Sequence, residues 1–272
     1  MKPQSRGRRV TLPNTGLCRV SWRVLRRRAI KVGIVLPLML LAAASPLMVN
    51  PTPNTRPDWM ARHERNIRLI QKVQPDLVFI GDSITQELLA KGGYFGDVNA
   101  VWKQYFVCRR AFNLGAFGDT TANVLWRLEN GEIDGIDPEL VVVLIGTNDI
   151  GPVHHLSPEQ TAEGIKEIAS LVHAKLPAAK ILIVGLLPKQ FNDSSREKVN
   201  SLLGKVGWSA LNASYVDISE SLMADGKIDP SLFVEQNHRK PLLHPNEAGW
   251  NRMATALVPQ ISKLTSVGGC RQ

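Results

Sequence analysis

Short apolar runs, separated by longer stretches of helical period, set the pattern of this chain. Leu77-Val78-Phe79-Ile80, Ala111 to Leu114, Leu140 to Ile145 and Ile181 to Val184 are each too short for a helix. Continuous apolar runs of this length, rich in Val and Ile, predict strands buried on both faces, as in parallel sheets. Tyr215-Val216 predicts a short fifth strand. From Asp58, Trp59, Ile67, Ile70 and Val73 recur near helical spacing, and Ile84 to Ala90 and Thr120 to Glu129 read as further helices. Ser157-Pro158-Glu159 opens another with an N-cap serine and a proline at the first helical position. Ile165, Ile168, Ala169, Val172 and Leu176 mark its buried face. A helix is expected over roughly Arg196 to Trp208, and the last begins near Asn246-Glu247, carrying Met253, Leu257, Ile261 and Leu264 inward. Strands alternating with helices predict βαβ units, right-handed crossovers and an α/β fold with a parallel sheet of about five strands.

Charge changes the picture at one end only. The chain of 272 residues carries a net charge of +9, but ten of its 33 basic residues lie within residues 1–31, which hold no acid. The remainder has 23 bases against 24 acids, so no electrostatic case for binding nucleic acid is left. The basic stretch precedes the apolar run Val32 to Leu41 and then Ala42-Ala43-Ala44, the parts of a cleavable export signal. Arg27-Arg28 admits a twin-arginine version of it. The alternative is an uncleaved anchor over Val32 to Val49, which Gly33, Pro37, Ser45 and Pro46 interrupt. The expected organisation is a signal peptide at 1–44, a proline-rich linker at 45–57, a folded α/β domain at 58–266 and a tail at 267–272. The product is expected to be exported, periplasmic or secreted, touching a membrane only through the leader if that is retained. Of three cysteines, Cys18 leaves with the leader. Cys108 and Cys270 can pair in an oxidising compartment, but the reading preferred here buries Cys108 and puts Cys270 in a frayed tail.

Candidate chemistry lies where strands end. Ser83 follows Gly81-Asp82 at the first strand's carboxyl edge, where ligands bind in open α/β sheets. A plain helix N-cap is the structural alternative for Ser83. Gly118 with Asp119 follows the second strand, and Asn148 in Gly146-Thr147-Asn148-Asp149 follows the third. Ester hydrolysis needs a nucleophile, a base and preorganised donors for the oxyanion. Ser83 can attack, and the N–H groups of Ser83 and Gly118 with the Asn148 amide can be the donors. Glycine at 118 would let backbone approach substrate closely. His244, just before the final helix, is the placed base, whereas His63, His154, His155, His173 and His238 read as surface residues. The pair His154-His155 has no neighbouring acid or cysteine to complete a metal site, so no metal is expected.

These blocks resemble the SGNH (GDSL-type) hydrolases: Gly-Asp-Ser at 81–83, Gly118, Gly-Thr-Asn-Asp at 146–149 and His244, in order. Asn113-Leu114-Gly115 through Gly118-Asp119-Thr120-Thr121, and Val124 through Glu132, are similar to the catalytic subunits of platelet-activating-factor acetylhydrolase type Ib. The likeness spans about Trp59 to Leu264. It implies a three-layer α/β/α sandwich with a flavodoxin-like sheet and a serine esterase acting on short acyl, chiefly acetyl, esters of a carbohydrate or lipid. It implies Ser83 as nucleophile, His244 as base, Ser83, Gly118 and Asn148 as oxyanion hole, and no cofactor. One position departs. The family places an aspartate three residues before the histidine, and this chain has Pro241 there. A backbone carbonyl within 239–242, in a loop that Pro241 stiffens, is the preferred substitute; among carboxylates Glu235 is the nearest upstream, with Asp229 and Glu247 behind it. The alternative to an enzyme is a binding or scaffold protein on the same fold, impaired by the lost acid. A flavodoxin-like cofactor binder is a third reading, but the turn after the first strand lacks a phosphate loop.

Overall fold

The structure is a computed structural model that describes residues 49–190, 193–235 and 242–266. The leader therefore lies outside the described residues, as do His238, Pro241 and Cys270. Helix α1 spans Pro57–Val73, β1 Leu77–Gly81, α2 Ser83–Glu87, α3 Val98–Tyr105 and β2 Ala111–Asn113. Then come α4 Thr121–Glu129, β3 Leu140–Leu144, α5 Pro158–Lys175, β4 Lys180–Val184, α6 Asp193–Leu203 and β5 Ala213–Val216. A two-stranded antiparallel hairpin, β6 Met223–Ala224 and β7 Lys227–Ile228, leads to the closing helix α7, Glu247–Leu264.

The main sheet has the order β2-β1-β3-β4-β5, and every pair in it is parallel. Strands β1 and β3 are buried along their whole lengths, as continuous apolar runs require. The side chains alternate between two cores. Val78, Ile80, Val141, Val143, Ile181 and Ile183 meet α4, α5 and α6. Leu77, Phe79, Leu140, Val142, Leu182 and Val184 meet α2, α3 and α7 on the opposite face. This is a three-layer α/β/α sandwich. The chain leaves β1 toward β2 and then returns to the other side of β1 with β3. The topological switch point, where open sheets bind ligands, thus lies between the carboxyl ends of β1 and β3.

Three elements differ from the pattern. Helix α3 was hidden behind a Gly-rich loop, although Val98, Val101 and Trp102 give it an inner face. Helix α6 stops at Leu203, and Trp208 instead begins a separate short turn, Trp208–Leu211. On α1, Val73 is 46% exposed, while His63 and Asn66 share the buried face with Trp59 and Ile70. Residues 49–56, read as linker, are laid onto the domain. Val49 is buried in the core, and Thr52 takes backbone and side-chain hydrogen bonds with α4 at Ala122 and Asn123. Cys108 is exposed rather than buried and is disulfide-bonded, its partner lying outside the described residues. Among the described residues no helix is long and apolar enough to cross a membrane.

Candidate active site

Ser83 owes its position to the residue two before it. A Cβ on Gly81 would stand 2.1 Å from Thr85 Oγ1 and 2.4 Å from the Leu144 carbonyl. Only glycine lets β1 turn into α2 this tightly against β3. Asp82 is the N-cap of α2, its carboxylate accepting from the Ile84 N–H at 2.9 Å. Its carboxyl is buried and pushed up to about 7, chiefly by desolvation, which the Ile84 N–H only partly offsets. Ser83 is then left at the first position of α2, 8% exposed, with its Oγ 3.0 Å from His244 Nε2.

His244 reaches Ser83 from the opposite end of the chain because its loop is tied down on both sides. The Val234 N–H donates to the His244 carbonyl (2.8 Å), the Asn246 N–H to Leu232 (2.9 Å) and the Gln190 N–H to Leu242 (3.2 Å). Asn246 caps α7 through the Gly249 N–H, fixing where the loop enters the helix. The imidazole is 5% exposed and stands edge-on to Phe95, ring centroids 5.3 Å apart, with Phe117 at 6.3 Å. Burial pushes it down to about 4, so the ring is neutral at pH 7 and able to accept a proton. Its Nδ1 has no hydrogen-bond partner among the described residues.

None of the carboxylates considered for that atom reaches it. Glu235 is exposed and lines an open cleft of about 640 Å³ with Gly93, Phe95, Phe233 and Asn246. Asp229 accepts from the N–H and hydroxyl of Ser231, and Glu247 is exposed in the first turn of α7.

The donors come from two further strand ends. After β2, the Ala116 N–H binds the Gly81 carbonyl (3.0 Å) and the Phe117 N–H binds Gln86 Oε1 (2.8 Å). These bonds hold the loop against α2, and Gly118 follows at φ +80°, a backbone conformation that L side chains rarely adopt. Glycine is required there by backbone conformation. A Cβ there would meet no protein atom nearer than 3.8 Å. The amide N–H groups of Ser83 and Gly118 take up no hydrogen bond among the described residues. After β3, Asn148 Nδ2 donates to the Asp119 carbonyl at 2.8 Å, which spends one of its two hydrogens and leaves the second.

Beneath these donors lies a buried polar network that the sequence did not reveal. Asp119 accepts from Trp59 Nε1 (2.6 Å) and Arg127 Nε (2.9 Å). Arg127 also binds the Leu114 carbonyl (2.9 Å) and pairs with Glu132, whose other oxygen accepts from Asn66 (3.0 Å). His63 is 4% exposed, 3.7 Å from Glu132, so it belongs to this network and not to the surface. Desolvation raises Asp119 to about 6 against the pull of Arg127, whereas the same cation holds Glu132 below the usual carboxylate range. Asp149 is buried on the other flank, accepting from Thr121 N–H and Oγ1 at the start of α4. Asp119 is therefore fixed through its carboxylate, and through its carbonyl it fixes Asn148. The signal was Val124 through Glu132, noted for its resemblance without a role. His154 and His155 are exposed, and among the described residues no three His, Cys, Asp or Glu cluster to hold a metal ion.

A cavity of about 170 Å³ adjoins Ser83, lined also by Arg62, Gln86, Glu87, Leu89, Phe95 and Phe117. Phe95 separates it from the wider cleft. A serine hydroxyl, a neutral imidazole and unoccupied donors beside a small cavity suit attack on a carbonyl carbon.

Comparison with known proteins bears on the same residues. The GDSL-like lipase/acylhydrolase family matches residues 79–251. The alpha2 subunit of platelet-activating factor acetylhydrolase IB from Rattus norvegicus is 36% identical over 176 residues, covering 62% of this chain and 71% of its own length. The alpha1 subunit from Bos taurus is 34% identical over 211 residues, 76% of this chain and 83% of its own. Among solved structures, a GDSL-like lipase from Bacteroides thetaiotaomicron superposes with a TM-score of 0.57 at 21% identity, over 76% of this chain and 98% of that one.

Proposed function

The chain belongs to the GDSL-like lipase/acylhydrolase family, and on that premise we propose that it is a serine esterase removing short acyl groups, acetyl foremost, from a carbohydrate or lipid ester. The observation that carries this is the 3.0 Å contact between Ser83 Oγ and a neutral, buried His244 Nε2 at the sheet's switch point. Ser83 attacks the ester carbonyl as its proton passes to Nε2, and the developing oxyanion faces the N–H groups of Ser83 and Gly118 and the second Asn148 hydrogen. The imidazolium returns the proton to the departing alcohol. Water then repeats the sequence on the acyl-enzyme, freeing the acid and Ser83. The cavity of about 170 Å³ favours a small acyl group, and the relatives' name, acetylhydrolase, points the same way. We place the enzyme outside the cytoplasm, on the basic and apolar leader and on a disulfide at Cys108, a bond at home in oxidising compartments.

Hydrolysis of 4-nitrophenyl acetate by purified protein, with a fluorophosphonate to label the nucleophile, tests the proposal. Ser83→Ala should lose both turnover and labelling while the circular dichroism spectrum stays unchanged. Undiminished turnover in that variant would refute it. The second reading, a binding or scaffold protein, draws on His244 Nδ1, which has no hydrogen-bond partner among the described residues. It takes over if the parent protein shows neither hydrolysis nor labelling.

A further inference from the structure

Arg62 is a cation in the wall of the Ser83 cavity that no carboxylate pairs with. It projects from α1, half-buried, and its Nε donates to the Gly115 carbonyl at 2.7 Å. That bond fixes the plane of the guanidinium. The remaining N–H groups make no hydrogen bond or ion pair among the described residues. The two nearby carboxylates, Asp119 and Glu132, are both committed to Arg127. Partial burial and the neighbouring Arg65 and Arg127 lower Arg62 to about 10, so it stays charged at neutral pH. Asp119 and Glu132 offset its burial only in part.

The rest of the cavity wall offers Arg62 no ion pair among the described residues. Glu87 is the acid among the lining residues, and burial holds its carboxyl well above the usual carboxylate range. One of its oxygens accepts from Trp250 Nε1 at 2.8 Å, and the other has no hydrogen-bond partner among the described residues. Neither oxygen is engaged with Arg62. Leu89, Phe95 and Phe117 are apolar, and Gln86 is engaged with the Phe117 N–H. A guanidinium with its outer edge free is shaped for two-point contact with a planar or tetrahedral anion.

Resting on the esterase reading above, we propose that Arg62 is the specificity residue of this site and reads an anionic group, carboxylate or phosphate, carried by the ester substrate beside its scissile bond. The anion can sit on the acyl side or on the alcohol side. Either position brings the missing charge into the cavity and leaves Ser83 and His244 to act as they would on a neutral ester.

The test compares matched esters in the parent and in Arg62→Gln. Glutamine keeps an amide donor for the Gly115 carbonyl and removes the charge. For the acyl side the pair is 4-nitrophenyl hemisuccinate and its neutral succinamate. For the alcohol side it is 4-acetoxybenzoate and 4-acetoxybenzamide. The parent should prefer the anionic member of one pair. Arg62→Gln should lower kcat/KM for that member about ten- to a hundredfold, mainly through KM, the range expected for hydrogen bonds to a charged group. The neutral member should change less than about threefold. Which pair responds assigns the anion to acyl or alcohol. Equal losses on both members would make Arg62 a brace for the Gly115 loop and overturn the proposal. So would an anionic-to-neutral ratio that the substitution leaves unchanged. Calorimetric titration of the full chain with inorganic phosphate decides independently of turnover. If the parent hydrolyses nothing, the esterase reading fails, and phosphate binding abolished by Arg62→Gln still supports an anion site, whereas equal or absent binding overturns it.

Discussion

Replacing Pro241 by aspartate should both strengthen His244 as a base and move the pH dependence of the reaction. In the parent, burial alone takes the imidazole from its ordinary 6.5 to about 4. A shift of that size penalises the imidazolium by roughly 3 kcal/mol, at about 1.4 kcal/mol per unit. Nothing described offsets it, because Nδ1 has no partner among the described residues, and the expected carbonyls of 239–241 lie outside them. No described residue fixes the tautomer, and only a proton held on Nδ1 leaves Nε2 free to accept from Ser83. A carboxylate within hydrogen-bond reach of Nδ1 raises a histidine by about 1–3 units and fixes that tautomer. We therefore expect Pro241→Asp to raise kcat for an aryl acetate about tenfold or more, with about 10⁴ as the ceiling that the loss of a triad acid implies. The sign of the pH effect follows from the base having to be neutral. Activity falls as pH drops through the histidine's pKa, so the parent's acid limb lies near pH 4 and the variant's about 1–3 units higher. At pH 5 the parent is on its plateau while the faster variant is already falling. The assay is kcat/KM from pH 3.5 to 8, with circular dichroism at each pH to confirm folding. A parent limb near 6.5 would refute the reasoning, because it would mean that His244 already has an anionic partner or is solvated. An unchanged limb and rate in the variant would show that Nδ1 is not the deficient atom.

Asn148→Ala should lower kcat by about 10²–10³, the usual cost of one oxyanion donor, and a change confined to KM would make Asn148 a substrate contact instead. Arg127→Met strands Asp119 and Glu132 as buried carboxylates without their cation, at a cost of about 3–5 kcal/mol, read as a fall of roughly 10 °C in Tm. An unchanged Tm would mean that neither carboxylate is ionised in the folded protein.

The parts of this protein that could be read from sequence are those where one local cue has one physical meaning. The runs at 77–80 and 140–145 could only be strands, because four to six apolar residues bury nothing as a helix. Their ends are marked by Gly81 and Gly146, which put Ser83 and Asn148 on one edge of the sheet. What stayed hidden was polar and long-range. His63 and Asn66 occupy the inner face of α1 where the helical period selected Ile67 and Val73. Apolar periodicity cannot see a helix that buries hydrogen-bonding groups against a Glu132 some 66 residues away. Helix α3 escaped for a different reason: eight residues after a glycine cluster give only two turns of pattern. The spent hydrogen of Asn148 likewise depends on the Asp119 carbonyl, 29 residues distant.

The electrostatic order of the site inverts what exposed side chains would give. Asp82, beside the nucleophile, is raised to about 7, and His244 is lowered to about 4, so the carboxyl releases its proton above the imidazole. Between those values both groups are neutral. Arg62, in the cavity wall, stays charged across that range. In the proposed reaction, attack by Ser83 would create two charges at once, an oxyanion before the backbone N–H groups and an imidazolium on His244. The oxyanion has donors in place. The imidazolium has Phe95 and Phe117 around it and, among the described residues, no acceptor at Nδ1. The harder charge to form is therefore the positive one, which is why a carboxylate beside His244, more than any further donor at the oxyanion, should speed the reaction. An anion on the substrate held by Arg62 would add a second compensation, bringing negative charge beside a guanidinium that has no ion pair among the described residues.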